Sequence, residues 1–218
     1  MIFAGTQSLP VAIENKVEAC QASLVAYNRD YFIDRSADGL HWYFATPGNT
    51  LKLPIGHLAI ENLAAAIAAI LVSGLVVSEQ AMLQGIQSAV LPGRFDLRHI
   101  SQQTVIFDAG HNPHGVEFLL NQLEKFLQYN KQYTEIVAVF SMLADKDINA
   151  VVDLLKDRVL TWKIAALAVP RAAELSQLQS ALTGESVEQY ENIQVAFQSA
   201  LAETKNNQLI LVCGSFHT

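Results

Sequence analysis

Three nearly unbroken apolar runs, Val105-Ile106-Phe107, Ile136-Val137-Ala138-Val139-Phe140 and Leu209-Ile210-Leu211-Val212, constrain this chain more than any other feature. A strand with one wet face alternates apolar and polar side chains, whereas a run that is apolar at every position suits a strand covered by helices on both faces. Helical segments (Pro113 to Tyr129, Ile148 to Val159, Glu174 to Leu182, Ile193 to Thr204) intersperse with strand candidates (Thr104 to Asp108, Glu135 to Ser141, Thr161 to Val169, Gln208 to Cys213). The pattern predicts an α/β domain built on a mostly parallel sheet with flanking helices.

The first ninety or so residues read differently. Ile2 to Ala4 is a short strand candidate, and residues 9 to 27 carry Val11, Val17, Ala19, Leu24 and Val25 near helical spacing. Tyr31 to Asp34, His41 to Ala45 and Thr50 to Leu53 form a small meander punctuated by Ser36-Ala37-Asp38-Gly39 and Pro47-Gly48-Asn49. Two helices follow, Ile60 to Ser73 and Ser78 to Ala89, the second opened by Ser78 as N-cap with Ala81, Met82 and Ile86 on one face. Leu91-Pro92-Gly93 then stops the pattern, which places a domain boundary there.

Composition excludes several classes. With 51% hydrophobic and 16% charged residues over 218 positions, the chain can bury one large or two small cores. The richest apolar stretch, Leu63 to Val77, is interrupted by Ser73 and Gly74 and falls short of the roughly 20 residues a bilayer span needs, so no membrane segment is expected. No secretory signal is visible at the N-terminus, which favours the cytoplasm. A net charge of −7 with scattered basic residues argues against a nucleic-acid partner. Cys20 and Cys213 lie at opposite ends without metal-ligand spacing and read as free thiols, Cys213 in a buried strand.

Ligands of open parallel sheets bind beyond the carboxyl ends of the strands, so the residues leaving each strand carry the functional signal. At the first exit, Asp108-Ala109-Gly110-His111-Asn112-Pro113-His114, a carboxylate, an imidazole and free backbone N–H groups converge, with Asn112 as N-cap and Pro113 at the first helical position. That set suits a ribose hydroxyl beside an anionic group. It equally suits simple capping of the helix, with His111 at the surface. At the second exit, Ser141 to Asp147, Lys146 can neutralise a carboxylate or phosphate while Asp147 caps the next helix, or the segment is a solvated turn. At the third, Cys213-Gly214-Ser215, the glycine lets backbone approach a ligand and Ser215 offers a hydroxyl and an N–H; a plain turn fits too.

Before this sheet, Arg94 sits on the connection between the two expected domains, where a guanidinium can clamp a phosphate or serve as an ordinary linker residue. Asn62 can pair with a purine edge or cap its helix, and His57 reads as a surface residue. No Gly-x-x-x-x-Gly-Lys-Ser/Thr, Gly-x-Gly-x-x-Gly, His-Glu-x-x-His or Gly-x-Ser-x-Gly motif accompanies them.

Taken in order, Leu91-Pro92-Gly93-Arg94-Phe95, Phe107-Asp108-Ala109-Gly110-His111-Asn112-Pro113-His114, Met142-Leu143-Ala144-Asp145-Lys146-Asp147 and Val212-Cys213-Gly214-Ser215-Phe216-His217-Thr218 resemble folylpolyglutamate synthase/dihydrofolate synthase of the Mur ligase superfamily. Glu61-Asn62-Leu63-Ala64-Ala65-Ala66 and the meander before it resemble the end of that family's central ATPase domain. The resemblance implies residues 1–92 as the last portion of the central domain and residues 93–218 as a Rossmann-like C-terminal domain.

It also implies the reaction: ATP with Mg²⁺ activates a dihydropteroate or folate carboxylate as an acyl phosphate, and the amine of L-glutamate attacks it. The partners so implied are L-glutamate, dihydropteroate, tetrahydrofolate and its polyglutamates, in a monomeric full-length protein. By similarity Asn62 contacts adenine, Arg94 the phosphates and Asp108 the ribose, while His111, Lys146 and Ser215 bind glutamate. The family's phosphate loop, Mg²⁺ ligands, modified lysine and most of its pterin pocket belong to a segment before Met1, so the isolated chain is expected to be inactive. Two rivals stand: a non-catalytic nucleotide- or amino-acid-binding α/β module, and another Mur-type amide ligase, against which the Asp-Ala-Gly-His-Asn-Pro run argues.

Overall fold

The computed structural model describes residues 1–5, 9–37, 40–56 and 58–218, and the chain separates into two compact units, Met1–Val90 and Leu91–Thr218. His57 and the Asp38-Gly39 pair of the expected hairpin punctuation lie outside the described residues.

In the first unit β1 (Ile2–Ala4) precedes α1 (Val11–Ala19), and β2 (Leu24–Ala26) pairs with β1 in parallel, Phe3 opposite Val25. The helix expected over residues 9 to 27 therefore stops early. Gln21 takes φ 49°, a left-handed geometry through which a helix cannot continue, and Leu24 and Val25 become strand. β3 (Phe32–Arg35), β4 (His41–Thr46) and β5 (Asn49–Pro54) form the antiparallel meander. Its second hairpin turns on Pro47-Gly48, with Gly48 at φ 91°, the sign a type II turn demands after proline. α2 (Ile60–Val72) buries Ile60, Leu63, Ala64, Ile67 and Ala68, one stripe at three- and four-residue steps, against Trp42, Phe44, Leu51 and Leu53 of the meander. Ser78 caps α3 (Glu79–Ser88), its hydroxyl accepting the Ala81 N–H at 3.2 Å. Ile86, Met82 and Leu83 of α3 pack on this core, while Ala81 is exposed.

The second unit is a six-stranded sheet, and its chain order is β6 (Asp96–Ile100), β7 (Gln103–Asp108), α4 (Pro113–Tyr129), β8 (Glu135–Phe140), α5 (Ile148–Leu155), β9 (Val159–Ile164), α6 (Leu175–Ala181), β10 (Val187–Gln189), α7 (Ile193–Glu203) and β11 (Gln208–Cys213). Across the sheet the order is β10-β9-β8-β11-β7-β6, parallel throughout except for β6 against β7. Alternate residues of each central strand feed two cores. Ile106, Ile136, Ala138, Phe140, Leu209 and Leu211 pack with α4, α5 and α6, whereas Val105, Val137, Val139, Ile210 and Val212 pack with Ala196 and Ala200 of α7. This double coverage is the reason those strands are apolar at every position.

The sheet differs from expectation in three places. β6 makes a hairpin with β7 through Ser101 and Gln102 at φ 48° and 68°, a left-handed pair without the glycine or asparagine that usually announces such a turn. β10 is a three-residue edge strand. The helix expected from Ile148 to Val159 ends at Leu155, and after a 3-10 turn the β-branched Val159 already opens β9.

Among the described residues no helix is long and apolar enough to cross a membrane. Cys20 is exposed and Cys213 buried, and neither is in a disulfide.

Candidate functional site

β11 lies between β7 and β8, so the three strand exits singled out in the sequence are neighbours at one edge of the second unit. Cys213 stands in register with Asp108 on one side and with Phe140 on the other.

At the end of β7 the Asp108 side chain is 5% exposed and both its oxygens are engaged. Oδ2 accepts the Phe95 N–H at 2.9 Å and Oδ1 the Gly110 N–H at 2.7 Å, while the Ala109 N–H donates to the Gly93 carbonyl at 2.8 Å. Asp108 thus ties the loop before β6 to the loop after β7, and each oxygen keeps a second lone pair for a ligand. Burial pushes its carboxyl above the usual range, outweighing the two N–H donors and the positive charge of Arg94, which act the other way. Gly110 is required here because a Cβ would come within 2.9 Å of Asp108 Oδ1. His111, half-buried, has Nδ1 at 2.9 Å from the Ala109 carbonyl oxygen. A carbonyl only accepts, so Nδ1 carries the proton and Nε2 is left to meet a ligand. Asn112 caps α4, its Oδ1 accepting the Gly115 N–H at 2.8 Å, with Pro113 following as the first helical residue.

At the end of β11, Gly214 takes φ 102°, and a Cβ would collide with the Ser141 carbonyl oxygen and approach Phe140 within 2.9 Å. Only glycine lets the two exits come this close. Ser215 is 9% exposed; its hydroxyl accepts the His217 N–H at 3.1 Å and keeps its own proton to donate. Thr218 Oγ1 donates to the Ser141 carbonyl at 3.2 Å. Asp108 and Ser215 line one cavity of about 230 Å³ together with Gly93, Asp96, Arg98, Phe107, Phe216 and Thr218.

Arg94, His111 and Lys146 do not line that cavity. Arg94 lies over the ring of Phe216, which does, at 4.8 Å from guanidinium carbon to ring centre. Lys146 is half-buried in the loop after β8, while Asp147 caps α5 through the Ala150 N–H at 3.0 Å. Asn62 is exposed in the first turn of α2 in the first unit. The N-cap position there is Ala59, which makes no side-chain cap, so Asn62 does not serve the capping role its sequence position suggested. Among the described residues no group of three or more His, Cys, Asp or Glu side chains is arranged to hold a metal ion.

Reading the strand exits alone missed Asp96 and Arg98, which form an ion pair at 2.6 Å on β6, and assigned no role to Phe107 and Thr218 at the first and third exits. The signal for the ion pair was present: an acid and a base two residues apart share one face of a strand. It was passed over because β6 itself was not recognised.

Residues 93–216 match the family model described as Mur ligase, glutamate ligase domain. The chain belongs to this Mur ligase family. Among its relatives, the dihydrofolate synthase/folylpolyglutamate synthase of Escherichia coli is 42% identical over 179 residues, which are 81% of this chain and 40% of that protein. A structure of bifunctional folylpolyglutamate synthase/dihydrofolate synthase with Mn, AMPPNP and L-glutamate bound aligns over 99% of this chain and 50% of its own, at 30% identity and a TM-score of 0.83. The Escherichia coli FolC structure in complex with DHPP and ADP aligns over 99% and 50% at 34% identity and a TM-score of 0.82. The chain therefore spans about half the length of the relatives it matches.

Proposed function

We propose that this Mur ligase chain is the C-terminal portion of an ATP-dependent acid–amino-acid ligase that adds L-glutamate to dihydropteroate, to tetrahydrofolate and its polyglutamates, or to both kinds of acceptor. The observation that carries this reading is the pairing of a buried acid and a buried hydroxyl, Asp108 and Ser215, on one cavity at adjacent strand tips of a glutamate ligase domain. The nucleotide, glutamate and DHPP named for the two structural relatives support the same substrate set.

In this reading the carboxylate of the pteroate or folate attacks the terminal phosphorus of ATP, giving an acyl phosphate and ADP. The glutamate amine then attacks the acyl carbon, forming the amide and releasing phosphate. Asp108 accepts a ribose hydroxyl on its spare lone pair, and Arg94 faces the phosphates. Nε2 of His111, the Ser215 hydroxyl and the Lys146 ammonium hold glutamate, whose two carboxylates supply the matching charge. Asn62 recognises adenine, and residues 1–92 are read as the last portion of the ATPase domain. Acyl phosphates hydrolyse readily, so the groups that position the amine do as much for yield as for rate. The divalent metal would help neutralise the phosphates, and this chain supplies it no ligand set among the described residues. A cytoplasmic location and a monomeric full-length protein complete the reading.

The test is ATP-dependent incorporation of labelled glutamate by protein that includes the upstream half, offered dihydropteroate or tetrahydrofolate. Ligation to one or both is expected, and the chain by itself should show none, with ATP affinity weaker than micromolar by calorimetry. No ligation to either acceptor would favour a binding module, and ligation only to a muramyl precursor would favour another Mur-type enzyme.

A further inference from the structure

Two arginines accompany the cavity of the second unit, and each is backed by a phenylalanine ring, yet they are not equivalent. Arg98 lies over Phe107 at 5.3 Å and gives Nε and Nη2 to the Asp96 carboxylate, so its charge is already matched. Arg94 lies over Phe216 at 4.8 Å and makes no ion pair or side-chain hydrogen bond among the described residues, its charge acting only at longer range on the buried Asp108 carboxyl. Its five N–H donors are uncommitted, in a chain of net charge −7 where carboxylates outnumber cations.

The ring beneath it is in an unusual position. Phe216 belongs to neither hydrophobic core of the second unit. It follows Ser215 directly and lines the cavity, and it reaches back to the loop before β6, where a Cβ placed on Gly93 would meet its ring at 3.7 Å. A free arginine side chain samples many rotamers, and each one lost on binding an anion weakens the complex. A guanidinium already resting on a ring has lost most of that freedom while keeping its full charge and its in-plane donors.

We propose that Phe216 is a positioning residue, a platform that pre-orders the Arg94 guanidinium for the phosphate groups of the nucleotide. The inference rests on the reading of Arg94 given under Proposed function and extends it to a residue with no other task.

The test uses the 218-residue chain labelled with ¹⁵N at low salt, with inorganic triphosphate as the probe and the Arg94 Nε–Hε resonance as the readout. In the wild type this resonance should be displaced by the ring and should move on titration with millimolar triphosphate; Arg94→Gln removes it. Phe216→Leu should abolish the ring displacement and raise the triphosphate concentration at half-response about fivefold, while Phe216→Trp keeps both at wild-type level. Backbone amide spectra confirm that each variant is folded, which a change at so exposed a side chain should permit. A half-response in Phe216→Leu equal to that of the wild type overturns the platform and leaves the Arg94 assignment standing. A wild-type Arg94 resonance that ignores triphosphate overturns both, and neither result depends on whether glutamate ligation is observed.

Discussion

The two units build parallel sheets from similar sequence material and end in different states. In the second unit the central strands are sandwiched between α4, α5 and α6 on one face and α7 on the other, and β6 closes one edge antiparallel. In the first, the parallel sheet is only β1 and β2, and much of the core comes instead from the meander against α2. Parallel pairs need cover on both faces, and a two-stranded sheet is marginal on its own. The exposed large hydrophobics follow the same divide: of the seventeen among the described residues, eleven, including Val11, Leu75 and Val76, lie before Leu91. A sheet that is complete can hold a site at its strand tips, whereas one that is not leaves apolar surface in water.

The comparison can be broken by unfolding experiments. Denaturant should melt the first unit before the second, followed by separate tryptophan signals from Trp42 and Trp162, each fully buried in its own unit. Leu119→Ala, at a fully buried site of the larger core, should lower the stability of the later transition by about 2–5 kcal/mol. A single transition displaced as a whole would show that the difference in sheet completeness has no thermodynamic weight.

Gly214→Ala should cost about 2–4 kcal/mol, because the substituted residue must hold φ 102° while its Cβ crowds the Ser141 carbonyl. Thermal unfolding of the purified variant measures it.

A smaller effect concerns Lys163, 3% exposed, whose ammonium donates to Glu188 at 2.5 Å, Glu203 at 2.7 Å, Tyr190 at 2.8 Å and Ser199 at 3.0 Å. Burial by itself would lower its pKa, but these partners outweigh burial and hold the lysine protonated well above its usual range. The Lys163 ammonium in turn lowers both glutamates. A depressed folded-state carboxyl gives stability that is fully present above its unfolded value and is lost as pH falls through the folded one. Stability of the second unit should therefore drop as pH falls below the ordinary glutamate value of about 4.3. Lys163→Met should cost about 1–3 kcal/mol at pH 7 and flatten that drop, since both carboxylates are largely solvated and screened.

The smallest effect is at the surface. Leu75→Ser and Val76→Ser should each change stability by less than about 0.5 kcal/mol, while raising the concentration at which the chain remains monodisperse in light scattering.

Much of the second unit was legible because its strands carry a signal that no helix or wet strand imitates. The exits at Asp108 and Gly214-Ser215 were legible for a related reason: a carboxylate or a glycine directly after an apolar run marks where a strand ends and a ligand can approach. β6 was hidden because Ser101 and Gln102 adopt left-handed geometry without the residue types that favour it, and with β6 went the Asp96–Arg98 pair. β2 was hidden because Leu24 and Val25 fit a helical stripe as well as a strand, and only pairing with β1 decides. Side-chain states are a further layer that sequence does not carry. That Asp108 braces two loops, that His111 keeps its proton on Nδ1 and that Arg94 rests on the Phe216 ring all follow from where neighbouring loops fall.

The measurement that bears most directly on the strand-tip site is steady-state glutamate ligation by protein of natural length carrying His111→Ala or Ser215→Ala. The expected result is a KM for glutamate raised at least about tenfold, with the KM for ATP and the unfolding midpoint close to wild type. Wild-type KM values for glutamate in both variants would contradict a glutamate site built from the tips of β7 and β11.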